Sequence, residues 1–218
     1  MRARLRVKLF NFGLELSELR ELKPSHFRST VGNDLSVDRK HVSKTFEATV
    51  LVLDGHDAAG KTTLATMLAK SVGGVHVRPF AGDVGERFVK CVNEGEMSQA
   101  ADIAKKAIKR ALCKVDAPVL VFDRHWMTAF SLLGESYWKA WQPLPATTLC
   151  WADLRTTLSR LRCRPVNDMH SYDHQHFLEV YQKLAQRFGC NIVRTDILSV
   201  EESFELVYSW AKALIAKA

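Results

Sequence analysis

The chain has 218 residues, 47% hydrophobic and 25% charged, which suits one globular domain with a full core. No apolar run approaches the roughly 18 residues a membrane helix needs, so a helical membrane protein is not expected. A net charge of +7, from 31 basic and 24 acidic residues, directs attention to anionic partners, small polyanions such as ATP ahead of nucleic acid.

Residues 1–47 carry mixed charges, and Pro24, Gly32, Asn33 and Asp34 interrupt any periodicity. They read as an N-terminal extension preceding a domain over 48–218. Arg2, Arg4 and Arg6 suggest a transit segment, but Glu15, Glu18 and Glu21 argue against one. The five cysteines form no C-x-x-C pair, so reduced thiols and a cytoplasmic location are expected.

From Thr49 the pattern alternates. Thr49–Leu53 reads as a strand buried on both faces, Lys61–Val72 as a helix, and Val75–Val77 as a short strand. Gly85–Asn93 and Ser98–Val115 follow as helices, Val119–Phe122 as a strand, and Thr128–Trp141 as one helix. Then come strand Thr147–Trp151, helices Leu154–Leu161 and Phe177–Phe188, strand Asn191–Arg194 and helix Val200–Ala218. Such alternation predicts an α/β fold: a doubly wound parallel sheet with helices on both faces.

The strongest motif is Gly55-His56-Asp57-Ala58-Ala59-Gly60-Lys61-Thr62-Thr63, a G-x-x-x-x-G-K-[ST] match between a strand and a helix. Its glycines allow backbone N–H groups to turn inward around phosphate oxygens. The following helix N-terminus adds positive potential. Lys61 would bridge the β- and γ-phosphates, and Thr62 would ligate Mg²⁺. Asp57 would repel a phosphate unless it points away, so it is expected to have another task, either at the acceptor or a metal-bound water; the plain alternative is an Asp that stabilises its own loop.

The strand Val119–Phe122 ends in Asp123-Arg124-His125. Ligands of doubly wound sheets sit at the carboxyl ends of strands. Asp123 is therefore expected on Mg²⁺ and Arg124 on an acceptor phosphate. His125 and Trp126 could equally flank the acceptor or be ordinary half-buried residues. Farther on, Arg155, Arg160, Arg162 and Arg164 precede Pro165, Asn167, Asp168 and His170. Beside a P-loop they read as a basic lid over the transferring phosphoryl group, although a solvated helix face has the same composition. His170, His174 and His176 read as loop histidines rather than a metal cluster.

Together these motifs resemble the thymidylate kinase family of P-loop kinases, from Thr49 to the C-terminus. The carriers are Asp57 two residues after the first glycine, Asp123-Arg124-His125 with Thr128 beyond, an Arg-bearing segment over Leu149–Arg164, and Phe177, Val180 and Tyr181. The resemblance implies acceptor contacts at Asp57, Arg78, Arg124 and Trp126. It implies a P-loop NTPase fold of nucleotide-kinase type and transition-state stabilisation by whichever of the lid arginines Arg160, Arg162 or Arg164 reaches the site, Arg160 and Arg164 being the leading candidates. The departures fall on the acceptor side. The family's R-E-P-G-G-T becomes Arg78-Pro79-Phe80-Ala81-Gly82, its Ala-Asp-Arg becomes Ala101-Asp102-Ile103, and its Tyr-Gln becomes Leu132-Leu133. Leucines cannot replace the hydrogen bonds that discriminate a polar base. The expected activity is Mg²⁺-dependent phosphoryl transfer from ATP to a nucleoside monophosphate, dTMP leading. A deoxynucleoside kinase, a non-catalytic nucleotide switch and a kinase of nucleic-acid ends are the rivals. A homodimer is compatible with this reading; membrane and nucleic-acid partners are not expected.

Overall fold

The computed structural model describes residues 48–114, 117–163 and 173–217. The expected extension, residues 1–47, lies outside them, as do Arg164, Pro165, Asn167, Asp168 and His170.

Five strands form one sheet: β1 (Thr49–Asp54), β2 (Val75–Val77), β3 (Val119–Asp123), β4 (Ala146–Trp151) and β5 (Asn191–Arg194). Their order is β2-β3-β1-β4-β5 and every pairing is parallel. Burial explains the order. β3 is buried throughout, whereas most of β5 is exposed at an edge, as expected when only inner strands are covered on both faces.

Seven α-helices complete the described chain: α1 (Lys61–Ser71), α2 (Asp83–Asn93), α3 (Met97–Lys114), α4 (Trp126–Phe130), α5 (Leu154–Arg162), α6 (His174–Arg187) and α7 (Val200–Ile215). None is long and apolar enough to cross a membrane. Two cores flank the sheet. Successive strand side chains point to opposite faces, so Leu51 and Leu53 of β1 join Leu64 and Leu68 of α1 and Val207 of α7. Val52 between them joins Phe88, Ile108, Trp126, Tyr181 and Leu184 on the other face.

The expected single helix over Thr128–Trp141 is instead two pieces, α4 and a 3-10 helix, Glu135–Trp141. Gly134 between them is extended, at φ −63° and ψ 158°. The break folds Trp138 flat onto Phe130, with ring centroids 4.8 Å apart, and buries Trp141. Aromatic burial decides here over helical continuity.

Side chains fix three helix starts. Asp153 accepts a hydrogen bond from the Thr156 N–H at 2.7 Å and Asp173 from the His176 N–H at 3.0 Å. Ser199 and Glu202 form a capping box. His174 and His176, expected in a loop, therefore lie in the first turn of α6. By contrast, α1 has no side-chain cap and no acidic residue in its first turn. It starts directly from the glycine-rich loop at the centre of the sheet.

Candidate functional site

Backbone shape comes first. Gly55 has φ +143°, and a Cβ there would lie 2.2 Å from the Cys150 carbonyl oxygen. Gly60, at φ +80°, is the residue preceding α1. Among the described residues, Ala58 and Arg124 are the two non-glycine residues with positive φ, at 60° and 75°. Such conformations cost of order 1–3 kcal/mol each and persist where surrounding contacts impose them.

Asp54, which sequence reasoning did not single out, holds the start of this loop. It is fully buried at the end of β1. Its Oδ1 accepts from the Gly55 N–H at 2.9 Å and the Thr128 hydroxyl at 2.7 Å. Its Oδ2 accepts from the N–H groups of His125 at 2.8 Å and Thr128 at 3.1 Å. One carboxylate thus ties the P-loop's first residue to the segment after β3. The signal was a charged residue ending a strand of Val and Leu immediately before the first loop glycine.

Parallel pairing of Leu53 with Asp123 places the second motif beside the first. The Thr62 hydroxyl donates to Asp123 Oδ2 at 2.6 Å. Asp123 is buried, yet its Oδ1 has no hydrogen-bond partner among the described residues. Burial disfavours its charge, but His76, Thr62, Lys61 and Arg124 outweigh that and hold the carboxyl below its ordinary range. An ionised oxygen with no partner beside a threonine hydroxyl fits an oxygen-seeking divalent cation such as Mg²⁺.

Lys61 is buried, and its ammonium donates to the His56 carbonyl. Desolvation, helped by Arg124, lowers its pKa to about 8. Arg124 donates to the Gly55 carbonyl at 3.3 Å and the Thr128 hydroxyl at 3.2 Å, and it is ion-paired with Asp57. Asp57 therefore points away from the loop interior, toward the segment after β3. Arg78 Nε lies 3.6 Å from Asp123 Oδ2.

A central cavity of about 440 Å³ is lined by Asp57, Lys61, Thr62, Arg78, Asp123 and Arg124, with Phe80 and Ala81. The structure thus brings together six predicted site residues from three separate segments. Two further cavities adjoin it. One of about 320 Å³ runs along α1 to Thr195, Ser199 and Ser203 and shares Lys61 and Thr62. The other, about 230 Å³, shares Asp57, Phe80 and Arg124 and is walled by Phe88, Leu132, Phe177 and Tyr181.

Other expectations change place. Trp126, expected at the acceptor, is 1% exposed and donates from Nε1 to the Thr147 hydroxyl at 2.8 Å. It packs edge-on against Phe130 and Phe188. His125 is also interior; burial lowers its pKa to about 3. Both lie just after β3, Trp126 as the first residue of α4. Arg160 does not line the central cavity. It belongs to the 320 Å³ cavity and donates to the Ala58 carbonyl and the Thr195 hydroxyl, each at 3.1 Å, and to the Thr195 carbonyl. Arg162 is exposed on α5, which continues through both arginines.

His56, a variable position of the motif, meets His174 at 2.8 Å and stacks on Phe177 with ring planes 6° apart. Burial lowers its pKa to about 4. Phe80 and Leu132, from the acceptor-side departures, wall the cavity of about 230 Å³, one from the segment after β2 and the other from the turn after α4. Phe88 of α2 joins them and was not predicted, since nothing in its spacing marks a motif.

No protein-family model and no curated sequence matches the chain. Solved structures do. Deoxyadenosine kinase from M. mycoides with bound dATP aligns at a TM-score of 0.54 and 13% identity, covering 75% of this chain and 100% of that one. The same enzyme with products aligns at 0.52 and 14%, covering 76% and 100%. Shikimate kinase from Bacteroides thetaiotaomicron aligns at 0.50 and 17%, covering 77% and 98%. The fold is that of the P-loop kinases. At these identities the likeness concerns architecture alone, so the chemistry of this chain must be argued from its own residues.

Proposed function

We propose that the protein transfers the γ-phosphoryl group of ATP to a nucleoside monophosphate, dTMP being the leading acceptor. The observation carrying this reading is the central cavity, where Lys61, Thr62 and Asp123 meet Arg78, Arg124 and Asp57 between two flanking pockets.

The donor's base and sugar occupy the cavity along α1, and its triphosphate lies on the loop amides. Lys61 grips the β- and γ-phosphates. Thr62 and Asp123 hold Mg²⁺, which supplies charge neutralisation when bound. The acceptor's ring enters the aromatic cavity, and Arg124 and Arg78 hold its phosphate. Lid arginines Arg160 and Arg164 were the candidates for the transition state. Among the described residues, Arg160 hydrogen-bonds to the Ala58 and Thr195 carbonyls and the Thr195 hydroxyl, so we assign it to shaping the donor side, with Arg164 retained for the phosphoryl group. Catalysis then consists of alignment and charge neutralisation.

A monophosphate is favoured over a nucleoside for a chemical reason. A hydroxyl acceptor needs a base near its proton, whereas a phosphate oxygen is already ionised. Asp57 is the one carboxylate lining the aromatic cavity among the described residues, and it is paired with Arg124. The likeness to a deoxyadenosine kinase keeps the nucleoside as the second reading. The test is a panel of deoxynucleosides and their monophosphates with γ-labelled ATP and Mg²⁺. Turnover with dTMP or another monophosphate, but not with its nucleoside, is expected. Turnover confined to nucleosides would overturn the first reading. Nucleotide binding without transfer to any acceptor would favour a switch protein.

A further inference from the structure

Polar groups around the cavity of about 320 Å³ along α1 are satisfied within the protein, with one exception. The Thr195 hydroxyl donates to the Ala59 carbonyl at 3.2 Å and accepts from Arg160 at 3.1 Å. The Ser199 hydroxyl oxygen accepts from the Glu202 N–H at 3.1 Å. The exception is Ser203. It lines the same cavity and is 2% exposed. Its Oγ has no hydrogen-bond partner among the described residues.

The geometry of α7 accounts for the direction of that hydroxyl. Ser203 follows the cap residue Ser199 by one helical turn. Cα–Cβ bonds tilt toward a helix's N-terminus, so the Ser203 side chain leans toward Ser199 and Val200, which line the cavity too. A serine within a helix commonly bonds the carbonyl four residues back. Here the Ser199 carbonyl accepts the Ser203 N–H at 3.0 Å, and the hydroxyl stays out of that bond. Packing does not require the oxygen, because Leu64 of α1 and Val207 and Ala211 of α7 already share an apolar core. A buried hydroxyl without a partner is costly, so this one calls for a partner from outside the chain.

The cavity indicates which part of a nucleotide supplies it. Lys61 and Thr62 mark its phosphate end, whereas Leu64, Leu198 and Val200 give it apolar lining. Apolar walls suit the flat faces of a nucleobase, and a hydroxyl that both donates and accepts suits its edge. We propose that the Ser203 hydroxyl is a hydrogen-bond contact of the donor's nucleobase. The proposal rests on the nucleotide-binding reading above. Its consequence is an opposition between binding and stability: the hydroxyl strengthens the nucleotide complex and weakens the free chain.

The test compares the full wild-type chain with Ser203→Ala by calorimetry in the presence of Mg²⁺. The probes are ATP, ribose 5-triphosphate, which lacks the base, and inorganic tripolyphosphate, which lacks base and sugar. Ser203→Ala should weaken ATP about fivefold, the loss of one neutral hydrogen bond, and leave the other probes unchanged. The free variant should melt no lower than wild type, because alanine is the better helix former and leaves no orphan hydroxyl. Unchanged ATP affinity, equal weakening of every probe, or a lower melting temperature of the free variant would overturn the proposal. Weakening of ATP and ribose 5-triphosphate alike, with tripolyphosphate spared, would overturn it by placing the contact on the sugar. Wild-type protein that bound tripolyphosphate as tightly as ATP would refute base recognition at this cavity and leave the phosphate loop standing. Failure of wild-type protein to bind any of the probes would overturn the nucleotide reading as well.

Discussion

Around Gly55–Thr63 the site is made mainly of backbone; around Phe80, Phe88, Phe177 and Tyr181 it is made of side chains. The first region owes its shape to positive φ at Gly55, Ala58 and Gly60 and to a helix with no side-chain cap. The second is assembled from the segment after β2, from α2 and from α6. Backbone cradles recognise what all nucleoside triphosphates share, the phosphates. Side-chain walls recognise what differs between acceptors. Under the proposed function, the donor half is therefore constrained to a motif, and the acceptor half is free to diverge from it.

The comparison can be broken most forcefully at Lys61. Lys61→Met is expected to reduce phosphoryl transfer by about 10³-fold, the upper range for removal of one charge-stabilising donor, as measured with γ-labelled ATP. It should also change the pH dependence of stability in a calculable direction. Burial lowers the Lys61 pKa from 10.5 to about 8, so between those values the unfolded chain binds the extra proton. Stability of the wild type should then rise as pH climbs from about 8 to 10.5. Lys61→Met should lose that increment, which denaturant titrations across this window will reveal.

On the acceptor side, Arg124→Gln should lower kcat/KM for the acceptor by about 10²-fold through loss of a charge-assisted contact. Affinity for the ATP analogue should remain within a few-fold of wild type, as read by calorimetry. Equal losses for both ligands would mean that the two halves are not separable. The joint between them is Asp54. Asp54→Ala leaves three buried donors and the Gly55 N–H without their shared acceptor and should cost about 3 kcal/mol of stability. The smallest effect is expected at Trp126. Trp126→Phe removes the bond to Thr147 and should cost about 1 kcal/mol, with acceptor KM unchanged. A large rise in acceptor KM would restore Trp126 to the acceptor site.

By itself, the sequence determined the alternating α/β order, all five strands of the described sheet and the glycine-rich loop, because these depend on local physics: burial on two faces, glycine conformations and a helix start. It also pointed to Asp123 and Arg124, since charge at the end of a buried strand is a local signal. Only the tertiary structure decided the rest. Aromatic packing split the helix expected over Thr128–Trp141 and sent Trp126 and His125 inward, and hydrogen bonds to Ala58 and Thr195 placed Arg160 on the Thr195 side of the loop. Parallel pairing put Asp123 against Thr62 and set His76 facing the same carboxylate from a neighbouring strand. Asp54, a single residue between a strand and a glycine, became the tie between two motifs 70 residues apart in sequence only because β1 and β3 are neighbours. Contacts between distant segments have no period and no spacing rule, so they become visible only when the sheet has ordered its strands.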